Sequence, residues 1–174
     1  YNFNKQVTNK IDRGKIYDRD GQILATNINS YSLFVNSSKV KNKLDLSKKI
    51  SLIINEDQEK ILNKLKLNKK FVYLKRNISP KEHQKIIELG EINLQTQIEK
   101  KRIYPFKNVS SHIVGYTDID NIGIAGIEKS YENFLNEGNN LYLTIDVNLQ
   151  NATRNELIKT INKFSAESGS AIIM

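Results

Sequence analysis

The chain lacks cysteine and tryptophan altogether, and its 174 residues include only two histidines and two prolines. Without cysteine, disulfide bonds, thiolate zinc sites and cysteine nucleophiles are excluded. The two histidines, His83 and His112, are far apart in the sequence, so we do not expect a metal centre built on histidine. No run of about 18 apolar residues is present, which excludes a bilayer-spanning helix within this sequence.

The charge is basic, with 27 Lys and Arg against 19 Asp and Glu, a formal net charge of +8. A base composition rich in A and T explains part of it, since Lys, Asn and Ile are all over-used. The remainder suits an anionic surface such as a lipid headgroup layer or a nucleic acid. We do not expect nucleic-acid binding, because the basic residues are spread along the chain and mixed with acids.

The first third of the chain has the pattern of short strands followed by helices. Strands are predicted at 14–18, 22–25 and 31–35, with Asp20-Gly21 as the hairpin turn between the first two. Apolar residues at helical spacing predict two helices, one marked by Leu46, Ile50, Ile53 and Ile54 and one by Ile61, Leu62 and Leu65.

The middle of the chain contains the clearest helix start. Ser79 is a capping residue, Pro80 suits the first helical position, and Glu82 completes a capping box. We expect this helix to end at Gly90, with His83 on its solvated side and Ile86, Ile87 and Leu89 facing inward. Strands are predicted on either side of it, at 71–74 and 94–104.

The last part predicts a strand, a helix and a strand. The first strand covers 141–145, Asp146 caps a helix that runs to about Phe164, and a final apolar strand covers 169–174. The predicted inward residues of the helix are Leu149, Ala152, Leu157 and Ile161. A final strand without a partner suggests a fragment of a larger protein, and the polar stretch 137–140 suggests a domain boundary.

Two groups of motifs resemble a known family. The first is Arg13-Gly14-Lys15-Ile16-Tyr17-Asp18-Arg19-Asp20-Gly21-Gln22-Ile23-Leu24-Ala25. The second combines Arg102-Ile103-Tyr104-Pro105, Ser111-His112-Ile113-Val114-Gly115 and Gly123-Ile124-Ala125-Gly126-Ile127-Glu128. Together they resemble the N-terminal pedestal, or dimerisation, module of class B penicillin-binding proteins, and they are most similar to the septal, division-specific type. Leu141 to Asp146 and Glu167 to Ala171 are similar to the start of the same family's transpeptidase domain.

The resemblance implies an α+β fold in two parts: an elongated, hairpin-rich pedestal with short helices over 1–138, and the first strand–helix–strand of a transpeptidase domain over 139–174. The stretch between Glu128 and Leu141 is shorter than is usual in the family, so either the connection is short or residues are absent from it. The residues to which the resemblance assigns structural or interaction roles are Arg13, Gly14, Asp18, Arg19, Gly21, Arg102, Tyr104, Pro105, His112, Gly115, Gly126, Glu128 and Asp146.

Some of these residues also support expectations from their chemistry. A carboxylate near a helix start can form a bidentate pair with a guanidinium, so we expect Glu128 to pair with Arg13 or Arg102. The spacing of Gly123 and Gly126 lacks the context of a dinucleotide loop and predicts close backbone packing instead. His112 has no nucleophile context, so we expect a structural histidine that ties neighbouring backbone together.

The catalytic motifs of the family are not found in this sequence. It has no Lys-Thr-Gly and no Ser-x-Asn, and its one Ser-x-x-Lys string, Ser38 to Lys41, lies in a polar, basic stretch that predicts a solvated loop. We therefore expect that this chain cannot be acylated, and we predict no cofactor and no metal.

By resemblance, the parent protein is a D,D-transpeptidase anchored in the bacterial inner membrane that cross-links peptidoglycan in the periplasm during division. The implied partners are a membrane-embedded glycosyltransferase and division-complex proteins, with self-association also possible. Peptidoglycan peptides and penicillins would bind only through the catalytic domain. Two alternatives stay open: an elongation-specific class B enzyme with a role in cell shape, and a catalytically inactive cell-wall scaffold.

Overall fold

A computed structural model describes residues 11–173 of the protein. In chain order its elements are β1 (Ile16–Tyr17), β2 (Ile23–Val35), α1 (Lys43–Ile54), α2 (Gln58–Lys66), β3 (Val72–Ile78), α3 (Pro80–Glu88), β4 (Leu94–Ile103), α4 (Lys107–Val114), β5 (Tyr116–Thr117), β6 (Gly123–Ala125), α5 (Gly126–Ser130), α6 (Glu132–Asn136), β7 (Leu141–Tyr142) and α7 (Val147–Phe164). The fold is therefore α+β, as the sequence predicts. No helix in this part of the chain is both long and apolar enough to cross a bilayer.

The chain forms two compact units. The described residues up to Ile28, together with those from Arg102 onward, form the discontinuous unit, and Asn29–Lys101 forms the inserted unit. The predicted domain boundary at 138/139 is a separate expectation and stays a prediction.

The discontinuous unit is organised around β1. This strand pairs antiparallel with the start of β2, where Ile16 lies opposite Ala25, and parallel with β7, where Ile16 lies opposite Leu141. The Asp20-Gly21 turn is present as predicted, with Gly21 at φ +82°. A second hairpin joins β5 and β6. The buried apolar core of this unit consists of Ile16, Leu24, Ala25, Val114, Leu135 and Val147.

The inserted unit is built on the second half of β2. Here β2 pairs antiparallel with β3, with Val35 opposite Val72 and Tyr31 opposite Ile78, and β4 also pairs with β2. The larger core of the protein lies in this unit, where strand residues such as Leu33 and Val35 pack with Ile50, Ile54 and Leu65 of the helices. The predicted capping box of α3 is present, with Glu82 N donating to Ser79 Oγ and Ser79 N to Glu82 Oε2, and Gly90 has the left-handed conformation expected at the helix end.

Several local predictions are wrong, each because tertiary contacts decide the outcome. Separate strands are predicted at 22–25 and 31–35, but both belong to one 13-residue strand, β2. The start of β2 pairs with β1 and its end pairs with β3, so hydrogen-bonding partners keep both parts of the strand extended. The position of Glu128 near a helix start predicts a helix over 126–135, but this helix is interrupted at Tyr131 and is divided into α5 and α6. The strand predicted at 141–145 ends at Tyr142, and residues 169–173 form no strand, since no described strand lies beside them.

Three predicted helix faces also need correction. Ile87 is 63% exposed, so only Ile86 is buried on α3, with Leu89 partly buried. On α7, Leu149 is 43% exposed and Ala152 is exposed too. The buried residue of this helix is Val147, which belongs to the core of the discontinuous unit. His83 is not simply solvated: its ring stacks on Tyr31 with centroids 3.7 Å apart, and its Nε2 lies 3.0 Å from Thr96 Oγ1.

Candidate functional site

A buried carboxylate, Glu128, forms the centre of the discontinuous unit. It lies in the first turn of α5 and is fully buried, with 0% of its surface exposed. Arg13 Nε donates to its Oε2 at 2.9 Å, and Arg102 Nε donates to its Oε1 at 2.7 Å. The sequence left open which arginine pairs with Glu128, and the structure shows that both do.

Further hydrogen bonds fix the two guanidinium groups. Arg13 Nη2 donates to the Glu128 carbonyl oxygen at 2.9 Å, and Arg102 Nη1 donates to the Gly14 carbonyl oxygen at 2.8 Å and to Asn27 Oδ1 at 3.1 Å. The N-terminal segment, the end of β4 and α5 are thereby tied together at one point. We call this set of residues, Arg13, Asn27, Arg102, Glu128 and Glu132, the clamp.

Glu132 and Asn27 are the clamp residues that sequence reasoning missed. Glu132 Oε2 lies 2.8 Å from Arg13 Nη2. With Glu132 included, the positive charges of two buried arginines are balanced by the negative charges of two glutamates. Its position four residues after Glu128 is the signal that could have identified it, because i and i+4 residues lie near each other on a helical segment. Asn27 had no comparable signal, since it lies in the middle of a strand.

The charges of the clamp stabilise one another. Burial alone would lower the pKa of Arg13, but the hydrogen bonds and charges of Glu132 and Glu128 outweigh it and raise that pKa. Burial would raise the pKa of Glu132, whereas Arg13 and the Gly123 amide lower it overall. Arg102 Nη2 is buried without a hydrogen-bond partner among the described residues.

Glycines around the clamp permit close backbone contacts. A side chain at Gly14 would overlap the backbone of Asn139, and one at Gly126 would contact Ile113 and Gly115. Gly115 and Gly126 also have positive φ angles, +76° and +61°. The close backbone packing predicted for Gly123 and Gly126 is confirmed, since a side chain at Gly123 would overlap the Glu128 carbonyl group.

A second buried carboxylate, Asp18, joins the N-terminal hairpin to the start of α7. Its Oδ1 accepts hydrogen bonds from Asp20 N and Gln22 N, at 2.9 and 2.8 Å, and its Oδ2 accepts one from Val147 N at 3.2 Å. Burial raises the pKa of Asp18, but the backbone N–H groups outweigh that effect and leave the pKa lowered. Asp146 caps α7 as predicted, accepting from Leu149 N at 3.0 Å.

The carboxylates of Asp18, Asp20 and Asp146 approach one another within 4.8 Å and are the described group best placed to hold a cation. Both oxygens of Asp18 already accept backbone hydrogen bonds. The arrangement therefore acts as a hydrogen-bonding centre for the turn and the helix start.

The other predicted residues are distributed around these two centres. Tyr104 is half-buried, its Oη accepts from Thr117 N at 3.0 Å, and its pKa is raised mainly by burial. Pro105 is exposed immediately before α4. The side chain of Arg19 is exposed, although its amide donates to the Ile145 carbonyl oxygen at 2.9 Å. His112 is exposed on α4, so the predicted backbone tie is not found in the part of the chain that the structure describes.

The one Ser-x-x-Lys string lies on the surface of the inserted unit. Ser38 is exposed in the loop before α1, and its Oγ donates to Asn36 Oδ1 at 2.7 Å. Lys41 is exposed in the same loop. This is the solvated loop that the sequence predicts.

Comparisons with known proteins identify what the chain is similar to. The family model described as "Penicillin-binding Protein dimerisation domain" matches residues 8–174. The probable peptidoglycan D,D-transpeptidase PenA of Neisseria meningitidis is 27% identical over 100% of this chain and 37% of its own length. The peptidoglycan D,D-transpeptidase FtsI of Buchnera aphidicola is 30% identical over 93% of this chain and 34% of its own length.

A solved structure supports the fold. A peptidoglycan synthetase from Bifidobacterium adolescentis aligns with a TM-score of 0.50 at 21% identity, covering 88% of this chain and 38% of that one. The chain thus spans little more than a third of the relatives it matches.

Proposed function

Because the chain belongs to the penicillin-binding protein dimerisation domain family, we propose that it is the non-catalytic pedestal of a peptidoglycan D,D-transpeptidase that acts in septal cell-wall synthesis. The observation that carries this proposal is the family match over residues 8–174, which includes every residue of the clamp. Relatives named as peptidoglycan D,D-transpeptidases support the activity of the parent protein. Residues 139–174 would begin the transpeptidase domain.

The geometry supports a positioning role. The clamp fastens the N-terminal segment to α5, and Asp18 fastens the same segment to the start of α7. Buried, hydrogen-bonded ion pairs fix the relative position of the segments they join, because any displacement leaves a charge unpaired. A part of the protein that holds a catalytic domain in place needs this rigidity rather than a reactive group.

Location and partners follow from this proposal. The pedestal would lie on the periplasmic side of the inner membrane, where the parent protein would be anchored. It would dock a membrane-embedded glycosyltransferase and division-complex proteins. Peptidoglycan peptides and penicillins would bind at the catalytic domain.

Depletion of the gene that encodes this chain, in the bacterium that carries it, tests the septal assignment. We expect filaments with blocked septa, and a tagged protein that localises to the division site. Rounded cells with continuing division would instead identify the elongation-specific alternative. Normal shape and division would contradict both enzyme assignments and favour an inactive scaffold.

A further inference from the structure

The net charge of the protein is concentrated in one of its two units. The inserted unit, Asn29–Lys101, contains 16 basic and 8 acidic residues, a net charge of +8. The remaining residues contain 11 of each and are neutral. An A- and T-rich base composition does not explain this asymmetry, because it would enrich lysine in both parts of the chain.

Two neighbouring loops of the inserted unit, each taken with one adjoining helix residue, contain much of this charge. Residues 36–43 and 66–71, which we call the basic loop pair, contain six lysines and no acidic residue: Lys39, Lys41, Lys43, Lys66, Lys69 and Lys70. All of these lysines except the half-buried Lys43 are exposed.

Hydrogen bonds hold the two loops together. Ser37 N donates to the Lys69 carbonyl oxygen at 3.0 Å, and Lys69 N donates to Ser37 Oγ at 2.9 Å. Lys43 Nζ donates to Asn68 Oδ1 at 2.6 Å. These bonds hold lysines from both loops in one surface region despite their mutual repulsion.

Two acids, Asp45 and Glu91, lie near Lys39 and Lys41. Asp45, on α1, forms an ion pair with Lys49 at 2.7 Å. Glu91, before β4, accepts from the side-chain amide of Asn93 at 2.8 Å. The amide of Asn93 leaves the negative charge of Glu91 in place, but the six lysines of the basic loop pair outnumber it, so the surface is positive.

Large apolar side chains are exposed among these lysines. Leu67 is 53% exposed and Phe71 is 43% exposed. The Phe71 ring packs against the rings of Phe34 and Tyr73, with centroid distances of 4.5 and 4.8 Å. Exposed Leu and Phe beside lysines are typical of surfaces that enter the boundary between lipid headgroups and acyl chains.

We propose that the basic loop pair binds the surface of a membrane rich in anionic lipids. The lysines contact the phosphate groups of the lipids, and Leu67 and Phe71 enter the headgroup layer. A soluble polyanion would need the lysines alone and would leave the exposure of Leu67 and Phe71 without a role. The proposal is independent of whether the parent protein acts in division or elongation.

Sedimentation of the full 174-residue chain with lipid vesicles tests the charge requirement. We expect binding to phosphatidylcholine vesicles that contain about 30% phosphatidylglycerol and not to phosphatidylcholine alone, with the binding weakened by salt. The triple variant Lys66→Gln, Lys69→Gln, Lys70→Gln should bind about 100-fold more weakly, since each lysine at an anionic surface strengthens binding about fivefold.

The matched control removes the same charge elsewhere on the inserted unit. The control variant changes three exposed lysines outside the two loops: Lys48→Gln, Lys60→Gln and Lys81→Gln. Its affinity for the vesicles should fall by less than about fivefold. Equal losses in the two triple variants, or no binding by the unaltered chain, would overturn the proposal.

A tryptophan reporter separates a membrane from a soluble polyanion. The chain has no tryptophan, so Leu67→Trp introduces a single fluorophore at the proposed point of insertion. With phosphatidylglycerol vesicles we expect a blue shift of its emission and quenching by brominated lipid. Binding to long-chain polyphosphate with no blue shift on vesicles would show a soluble polyanion site and would refute the membrane assignment.

Discussion

At the scale of single residues, the clamp depends on one carboxylate shared by two arginines. Glu128→Ala removes a carboxylate that two guanidinium groups share, and each guanidinium is more than nine-tenths buried. Arg13 keeps Glu132 as a partner, whereas Arg102 loses the carboxylate with which it pairs. Because uncompensated charge in the interior is strongly unfavourable, we expect the free energy of unfolding to fall by about 3–5 kcal/mol. Urea denaturation at neutral pH measures this change.

An exposed ion pair provides the control for this variant. Glu156 pairs with Lys159 at 2.7 Å on the exposed side of α7. Solvent screens such a pair, so Glu156→Ala should change stability by less than about 1 kcal/mol. A loss of similar size in both variants would contradict the central role of Glu128.

Asp18 should make the stability of the protein sensitive to acid. Because its folded-state pKa is lowered, the stabilisation is complete above the pKa of an unfolded carboxyl, about 3.9, and is lost as the pH falls through the folded-state value. We expect the free energy of unfolding to decrease on acidification below about pH 4. Asp18→Asn should show a smaller decrease, whereas Asp45→Asn should follow the unaltered chain.

At the scale of secondary-structure elements, Gly115 controls the junction between α4 and β5. Its φ of +76° disfavours a side chain, and a Cβ would overlap the Ala125 carbonyl group. Gly115→Ala should therefore lower the free energy of unfolding by more than the roughly 1–2 kcal/mol that a positive φ alone costs a residue with a side chain. Gly90→Ala is the matched control, because Gly90 has a φ of +65° with nothing within 4 Å of an added Cβ. Thermal unfolding that ranks the two variants equally would contradict the backbone overlap.

The last elements should differ in hydrogen exchange. Leu141 N donates to the Lys15 carbonyl oxygen and Leu143 N to the Tyr17 carbonyl oxygen. Val147 N donates to Asp18 Oδ2, so these three amides should exchange slowly. The end of α7 and residues 167–173 are exposed, so their amides should exchange quickly. Strong protection of Ile172 in a monomeric sample would contradict this gradient. Protection of the Ile172 amide that appears only at high protein concentration would indicate self-association.

At the scale of the whole molecule, we expect the chain to form no covalent adduct with a fluorescent penicillin. Acylation needs a serine activated by a neighbouring base, whereas Ser38 lies in an exposed loop and donates to Asn36. Gel fluorescence after incubation should show no labelled band at 20.0 kDa, while a complete class B transpeptidase is labelled in parallel. A band that Ser38→Ala abolishes would refute this interpretation.

Local signals in the sequence account for the elements that were predicted well. The capping box at Ser79, the cap at Asp146 and the Asp20-Gly21 turn are satisfied by neighbours a few residues away, so the sequence specifies them directly. Glu128 was likewise identified as an ion-pair partner, because a carboxylate near a helix start can form a bidentate pair with a guanidinium.

Other features depended on contacts between distant parts of the chain. From the sequence, Glu128 was predicted to pair with Arg13 or Arg102. Only the packing of the N-terminal segment against β4 and α5 brings both arginines to the same carboxylate. The apolar residues at 169–173 predicted a strand, yet a strand forms only beside a partner that accepts its hydrogen bonds.

The sequence by itself therefore determined the α+β class, the helix caps and the family, because each depends on local patterns of residues. The tertiary structure alone decided that Asn27 and Glu132 complete the clamp and that the whole net positive charge lies in the inserted unit. The physical reason is that burial, charge balance and strand pairing are properties of segments far apart in sequence, which only the folded chain brings together.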